Sequence, residues 1–201
     1  MKYSYIKIQP EVKAIVKKAC YSKQNIFKST IWQYHIMPVV EHSMRLGRKL
    51  KADLEILELA ALLHDYASTI GRGKYYREHH SQSAKMAVKI LKRLNYPAAR
   101  IERVKECIIS HRGSVKIKPK TLEAKILASA DAMSHITELA DMLYLAYNVH
   151  NLETSAGAKW LKNKLKRSWG KIMPAGKKIV SNGYKLFMKI LDNTIKKSRD
   201  L

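Results

Sequence analysis

The chain has 201 residues, 46% of them hydrophobic and 27% charged, which excludes a disordered chain and provides enough residues for a substantial core. No apolar run approaches the roughly 18 residues of a membrane span, and the lysine-bearing N-terminus lacks the apolar segment of a secretory signal. A formal net charge of +23 favours polyanionic partners, although a lysine-rich surface that keeps the protein in solution explains the charge equally well.

Apolar residues recur at helical spacing along most of the chain, and only residues 114–118 alternate weakly as a strand. The predicted helices, in chain order, cover residues 35–50, 54–65, 80–94, 98–111, 122–150 and 184–197. Asp53 and Thr121 are suited to cap the second and fifth of these helices, and Pro97 is suited to open the fourth. The second helix is apolar on most sides, which indicates a central position.

The predicted fold class is all-α, with a single domain over residues 1–201 because no repeat or low-complexity linker divides the chain. We expect a helical core over about residues 32–150 and a C-terminal extension over about residues 151–201. Gly157 and Gly170 interrupt this extension, which predicts that its helices are short.

The two cysteines, Cys20 and Cys107, are isolated from each other in sequence. They form neither a disulfide framework nor a CxxC metal site. This cysteine usage favours a reducing, cytoplasmic setting.

A histidine and an aspartate, His64 and Asp65, stand side by side at the end of the apolar segment LAALL. Titratable groups in apolar surroundings are costly unless they are paired or bound to a metal. The simplest structural explanation is a helix C-terminus, where the histidine meets the last carbonyl groups and the aspartate begins a turn. A metal site is the competing explanation.

Other metal-binding side chains also fall near the ends of different predicted helices, as in bundles that build metal sites between facing helices. With the central pair, the candidate metal ligands are His35, His64, Asp65, His79, His80, His111 and Asp131. A set of histidine nitrogens and carboxylate oxygens without thiolates suits Mn, Fe, Co, Ni or Mg better than structural zinc.

The order of these residues resembles the signature of the HD superfamily of metal-dependent phosphohydrolases. The motifs are WQYHIMPVVEH around His35, ELAALLHDYA around His64 and Asp65, and ILASADAMSHI around Asp131. The resemblance covers about residues 32–135 and implies an all-α HD-domain fold. It further implies that these four residues hold a divalent metal and that His64 and Asp65 are needed for catalysis.

The segments REHHSQSAKMAVKIL and ECIISHR are similar to those of family members with additional histidine ligands and two metals. This resemblance implies a second metal that is bridged by Asp65 and bound by His111 and either His79 or His80. His79 is narrowly favoured because it lies four residues before a small residue that is followed by alanine, as in similar relatives. One or two divalent metals per chain are therefore expected.

Many relatives carry a lysine three residues after the aspartate, where this chain has Ser68. Four basic residues in nearby loops are candidates for binding a substrate phosphate instead: Arg72, Lys74, Arg77 and Arg112. Each of them fits a solvated surface position equally well.

Two further histidines lie close to candidate ligands in sequence. His42 follows His35 by two helical turns, about 10.5 Å, which is too far for both to bind one metal. His135 lies four residues after Asp131 on the same helical face, where it is either a partner of that ligand or an ordinary buried histidine.

The resemblance implies hydrolysis of a phosphate mono- or diester, with a phosphorylated small molecule such as a nucleotide as substrate, by attack of a metal-activated water. One alternative is a basic nucleic-acid-binding protein that retains the metal site for structure. Another is a membrane-surface protein that uses the amphipathic segment KWLKNKLKRSW, although core packing explains its apolar stripe as well. For the phosphohydrolase we expect only weak nucleic-acid binding, which follows from the net charge.

Overall fold

The computed structural model of the protein describes residues 5–113 and 117–197, which contain helices and no strand. The all-α fold class is therefore confirmed for the described part of the chain. Residues 114–116, which hold most of the weak strand pattern, lie outside the described residues.

The helices follow one another through short loops. Their bounds are α1 Tyr5–Cys20, α2 Met37–Leu50, α3 Leu54–Leu63, α4 Tyr66–Ile70, α5 Lys74–Arg77, α6 His79–Arg93, α7 Ala98–Ser110, α8 Leu122–Thr137, α9 Leu139–Tyr144, α10 Thr154–Lys171 and α11 Pro174–Lys197. Two π-helical turns, Trp32–Ile36 before α2 and Leu145–Val149 after α9, widen the backbone locally.

The two predicted helix caps are confirmed. A carboxylate oxygen of Asp53 accepts a hydrogen bond of 3.2 Å from the amide of Ile56 at the start of α3. The hydroxyl of Thr121 accepts one of the same length from the amide of Ala124 at the start of α8. Each cap satisfies an amide that the helix itself leaves without an acceptor.

Helix α3 is the central element, as its apolar composition predicts, because it packs against α1, α2, α6, α7 and α8. Ile56 and Leu59 on one side belong to a core cluster shared with α1, α6 and α7. Leu57 on the other side belongs to a second cluster, built with α8, α10 and α11. His64 therefore follows directly after a helix that is packed on several sides.

The prediction of one unbroken helix over residues 122–150 is wrong. Helix α8 ends at Glu138, where φ is −111°, and the chain continues as the separate short helix α9 and a π-helical turn. Hydrophobic periodicity does not detect this break because the sequence on both sides of Glu138 is helix-forming.

The C-terminal helices are also longer than the prediction of short helices, since α10 has 18 residues and α11 has 24. Gly157 and Gly170 both lie inside α10 and do not end it. At Gly157 a β-carbon would stand 2.1 Å from the ring of Tyr147, so this glycine permits close packing rather than a chain turn. No helix among residues 5–113 and 117–197 has the length and apolar character to cross a membrane.

Candidate metal centre

A cavity of about 480 Å³ opens beyond the C-terminal end of α3. Histidine and aspartate side chains that could bind a metal line it: His35, Asp65, His79, His111, Asp131 and His135. His64 is completely buried behind them. Sequence positions that span about a hundred residues therefore meet in one place, as the helix-end pattern predicts.

The first group of ligand atoms surrounds His35. Its Nε2 atom lies 3.2 Å from Nε2 of His64, 3.5 Å from Oδ2 of Asp65 and 3.8 Å from Oδ1 of Asp131. Two ring nitrogens that face each other beside two carboxylates form a site that attracts a cation. Although burial opposes a charge on His35, its contact with Asp65 raises the pKa of the ring.

The second group lies on the other side of Asp65. Nε2 of His79 is 3.5 Å and Nε2 of His111 is 3.6 Å from Oδ1 of Asp65. This carboxylate oxygen is buried and accepts no hydrogen bond from the described residues. A buried carboxylate oxygen that faces two imidazoles without a donor fits a metal ion. Asp65 thus directs one oxygen into each group.

Three of the histidines are held by the same type of contact between the ring and the backbone. In each, the Nδ1 atom lies within hydrogen-bond distance of the backbone carbonyl three residues earlier, which fixes the ring and directs Nε2 toward Asp65. The pairs are His64 with Ala61 at 2.8 Å, His79 with Tyr76 at 3.0 Å and His111 with Ile108 at 2.6 Å. The helix-end explanation of the His-Asp pair is therefore also true, because the carbonyl of α3 orients a candidate ligand.

His80 and His42 stand apart from both groups. The Nδ1 atom of His80 is buried without a hydrogen-bond partner among the described residues, and burial lowers the pKa of its ring to about 4. Of the neighbouring pair, the structure brings His79 to Asp65. His42 contacts the hydroxyl of Thr137 at 3.1 Å instead.

The two aspartates are ionised despite their surroundings. Burial alone would raise the pKa of Asp65, but His79 and His64 outweigh it and hold the pKa well below its usual range. Burial opposes the charge of Asp131 in the same way, and Lys171 outweighs it. Both carboxylates are thus in the form that binds metal.

Asp131 has different partners on its two oxygens. Its Oδ2 atom accepts a hydrogen bond of 2.6 Å from Nζ of Lys171, which also donates to the carbonyl of His111 at 3.1 Å. Its Oδ1 atom lies 3.5 Å from Nε2 of His135, whose Nδ1 atom is 2.9 Å from the hydroxyl of Ser168. His135 and Asp131 also form a possible metal-binding group with His35.

Helix α10 therefore contributes to the cavity, which the sequence analysis missed. Four of its polar residues line the cavity: Lys164, Arg167, Ser168 and Lys171. The signal is present in the sequence, since these residues follow one another at helical spacing and share a face. In a chain with net charge +23 this basic face is not distinctive, and the apolar stripe of the segment is its more conspicuous pattern.

Of the four basic residues considered for phosphate binding, Arg77 and Arg112 line the cavity, and Arg72 and Lys74 do not. The guanidinium group of Arg112 donates to the carbonyl of Arg77 and so connects two sides of the rim. Ser68, at the position of the absent lysine, lines the cavity too, and its hydroxyl donates to the carbonyl of Asp65 at 2.7 Å.

The cavity wall also contains apolar and aromatic side chains. They belong to Phe27, Ile31, Tyr76, Met142, Leu145 and Trp160. The rings of Phe27 and Tyr76 lie 5.7 Å apart, and that of Trp160 lies 5.0 Å from His150. A cavity that combines candidate cation-binding groups with aromatic and apolar side chains fits a ligand that is both anionic and aromatic.

A family model described as "HD domain" matches residues 32–136 of the chain. The fold is similar to that of Bacillus subtilis YpgQ in complex with ADP, with a TM-score of 0.70 and 17% identity over 96% of each chain. It is also similar to a predicted HD superfamily hydrolase from an uncultured Thermotogales bacterium, with a TM-score of 0.53 and 24% identity over 78% of this chain and 84% of that one. No curated protein matches the sequence.

Proposed function

Because the chain belongs to the HD domain family, we propose that it is a metal-dependent phosphohydrolase that cleaves a phosphate mono- or diester of a nucleotide. The observation that carries this proposal is the position of Asp65, whose two oxygens face two separate sets of imidazole nitrogens beside an open cavity. A structural site would be closed by protein ligands, whereas this one leaves space for a substrate and water.

Two divalent metals are proposed per chain. His35, His64, Asp65 and Asp131 would hold the first, and Asp65, His79 and His111 would hold the second. When bound, the metals lower the pKa of a water molecule and neutralise charge on the phosphoryl group. The candidate metals are Mn, Fe, Co, Ni and Mg, since the donor atoms are nitrogen and oxygen.

The side chains around the ligands have positioning roles. Lys171 donates a hydrogen bond to the Oδ2 atom of Asp131. The Oδ1 atom of Asp131 remains directed at His35 and His135. Asp65 is committed to both ligand groups, so it orients the reacting groups rather than acting as a free base. Arg77 and Arg112 place positive charge at the rim, where an anionic substrate enters.

A nucleotide is the proposed substrate because the cavity combines this positive charge with an aromatic and apolar wall. The complex of YpgQ with ADP shows that a protein of similar fold accepts a nucleotide. The free, buried thiols of Cys20 and Cys107 suit the cytoplasm, where such substrates occur.

The test is a hydrolysis screen of the purified chain with AMP, ADP, ATP, a cyclic nucleotide and nitrophenyl phosphate esters. Each substrate is assayed with Mn, Co, Ni or Mg and with a chelator. We expect metal-dependent release of phosphate or a nucleotide product from at least one nucleotide. Asp65→Ala should reduce this rate by at least about a thousandfold while the helical circular dichroism spectrum is kept. Equal rates for Asp65→Ala and the wild type would exclude the proposal.

A further inference from the structure

Two cations of α10, Lys164 and Arg167, line the cavity without a carboxylate partner. Neither side chain has an ion pair or a hydrogen bond within residues 5–113 and 117–197. Lys171, on the same face, is by contrast bonded to Asp131. The first two cations therefore have unused donors that are directed at the same space as the candidate ligands.

The order of side chains along α10 relates these cations to the rest of the cavity. Lys171 marks the metal-binding end, and Arg167 and Lys164 follow at about 6 and 10.5 Å along the helix axis. Trp160 follows at about 16 Å and belongs to the aromatic wall. One face of α10 thus carries, in order from the candidate metal centre, two cations without an ion pair and then an aromatic ring.

Lys164 is the more enclosed of the two cations, and its charge is costly in the free protein. Burial lowers the pKa of its ammonium group to about 8, and the nearby carboxylates of Asp131 and Asp65 offset only part of this effect. A partly buried charge without a bonded partner is kept at the expense of stability. Replacement by an apolar residue would remove this cost, so packing of α10 does not explain a lysine here.

We propose that Lys164 and Arg167 bind phosphate groups beyond the one at the metal centre, so that the preferred ligand is a nucleoside polyphosphate with its base toward Trp160. This inference rests on the proposed nucleotide-binding function of the cavity. A nucleoside monophosphate at the metal centre has no further phosphate for these cations. A nucleoside diphosphate should therefore bind to the chain more tightly than the monophosphate, because its second phosphate group can contact Lys164 and Arg167.

The test is a calorimetric titration of the Mn-loaded chain with AMP and with α,β-methylene-ADP, whose phosphorus–carbon bond resists hydrolysis. We expect the wild type to bind the diphosphate analogue at least about tenfold more tightly than AMP, the scale of one charge-assisted hydrogen bond. The double variant Lys164→Gln/Arg167→Gln should reduce the preference to about twofold or less, chiefly by weaker binding of the analogue.

Lys166→Gln is the control for a general loss of positive charge on α10, because it removes one charge from an exposed position that does not line the cavity. It should keep the preference of the wild type. Melting temperatures of the double variant and of Lys166→Gln show whether they fold, and the single variant Lys164→Gln should melt at or above the wild-type temperature.

Three results would overturn the inference: no preference in the wild type, an unchanged preference in the double variant, or an equal loss in Lys166→Gln. This test is independent of the test of the proposed function, because it measures binding whereas the other measures turnover. A chain that binds as described without hydrolysing any nucleotide would refute the hydrolase and keep the polyphosphate site.

Discussion

Asp65 is the residue that connects the two groups of candidate ligands. Its Oδ2 atom lies near His35 and its Oδ1 atom near His79 and His111, so one carboxylate serves both. Metals bound on both sides of this carboxylate would leave neither of its oxygens buried without a partner. The Oδ1 atom of Asp65 is buried and accepts no hydrogen bond from the described residues, as expected for an oxygen that binds a metal.

The neighbouring histidines His79 and His80 provide a matched test at this scale. His79→Ala should remove a ligand and weaken binding of the second metal by about tenfold or more, since its Nε2 atom faces Asp65. His80→Ala should leave metal affinity within about twofold, because its ring lies outside both groups. Titration with Mn followed by calorimetry measures both. A larger loss for His80→Ala than for His79→Ala would reverse the assignment.

The residues that the sequence identified are those whose chemistry conflicts with their surroundings. His64 and Asp65 follow an apolar run, and only an unusual environment explains them there. Lys164 and Lys171 were missed because a lysine in a chain with net charge +23 carries no such conflict. Their role depends on which face of α10 packs on α8, and that is a property of the tertiary structure.

At the scale of helices, α8 contributes to both the candidate site and the core. Asp131 and His135 face the cavity, while Met133 belongs to the cluster formed with α11. Gly176 of α11 allows this contact, because a β-carbon there would stand 2.7 Å from the sulfur of Met133 and 2.8 Å from Ile172. Close approach of α11 thus supports the helix that holds the ligands.

Two glycine substitutions should therefore have opposite effects on the free energy of unfolding. Gly176→Ala should lower it by about 1–3 kcal/mol, because the added methyl group overfills a packed contact. Gly170→Ala, inside α10 with no atom within 4 Å of the new β-carbon, should raise it by up to about 1 kcal/mol. Urea denaturation measures both. Equal changes of the same sign would show that the α8–α11 contact is not as close as described.

Helix starts were predictable because their signals are local. Asp53 and Thr121 cap α3 and α8 through amides three residues ahead, which spacing alone reveals. The break at Glu138 was not predictable, because the sequence on both sides of this residue is helix-forming. The length of α10 was underestimated because Gly157 is required by the ring of Tyr147 and not by a turn.

For the whole molecule, the dominant property is the positive charge of +23. The positive side chains that line the cavity belong to Arg77, Arg112, Lys164, Arg167 and Lys171. The other basic residues lie elsewhere along the chain and contribute a long-range attraction for anions without a defined geometry.

Nucleic acid should accordingly bind weakly and without sequence preference. We expect the affinity for two unrelated DNA duplexes of equal length to agree within about threefold and to fall steeply between 50 and 200 mM salt, because binding releases counterions. Fluorescence anisotropy across this salt range measures the slope. Tight, sequence-selective binding that persists at high salt would favour the nucleic-acid-binding alternative over the enzyme.

The central claim is that the cluster around Asp65 holds metal, and elemental analysis tests it most directly. The wild type, Asp65→Ala and His111→Ala are purified without chelator, and circular dichroism verifies their helices. The account predicts about two metals per chain in the wild type, about one in His111→Ala and almost none in Asp65→Ala. A wild type without stoichiometric metal, or an Asp65→Ala variant with the same metal content as the wild type, would contradict it.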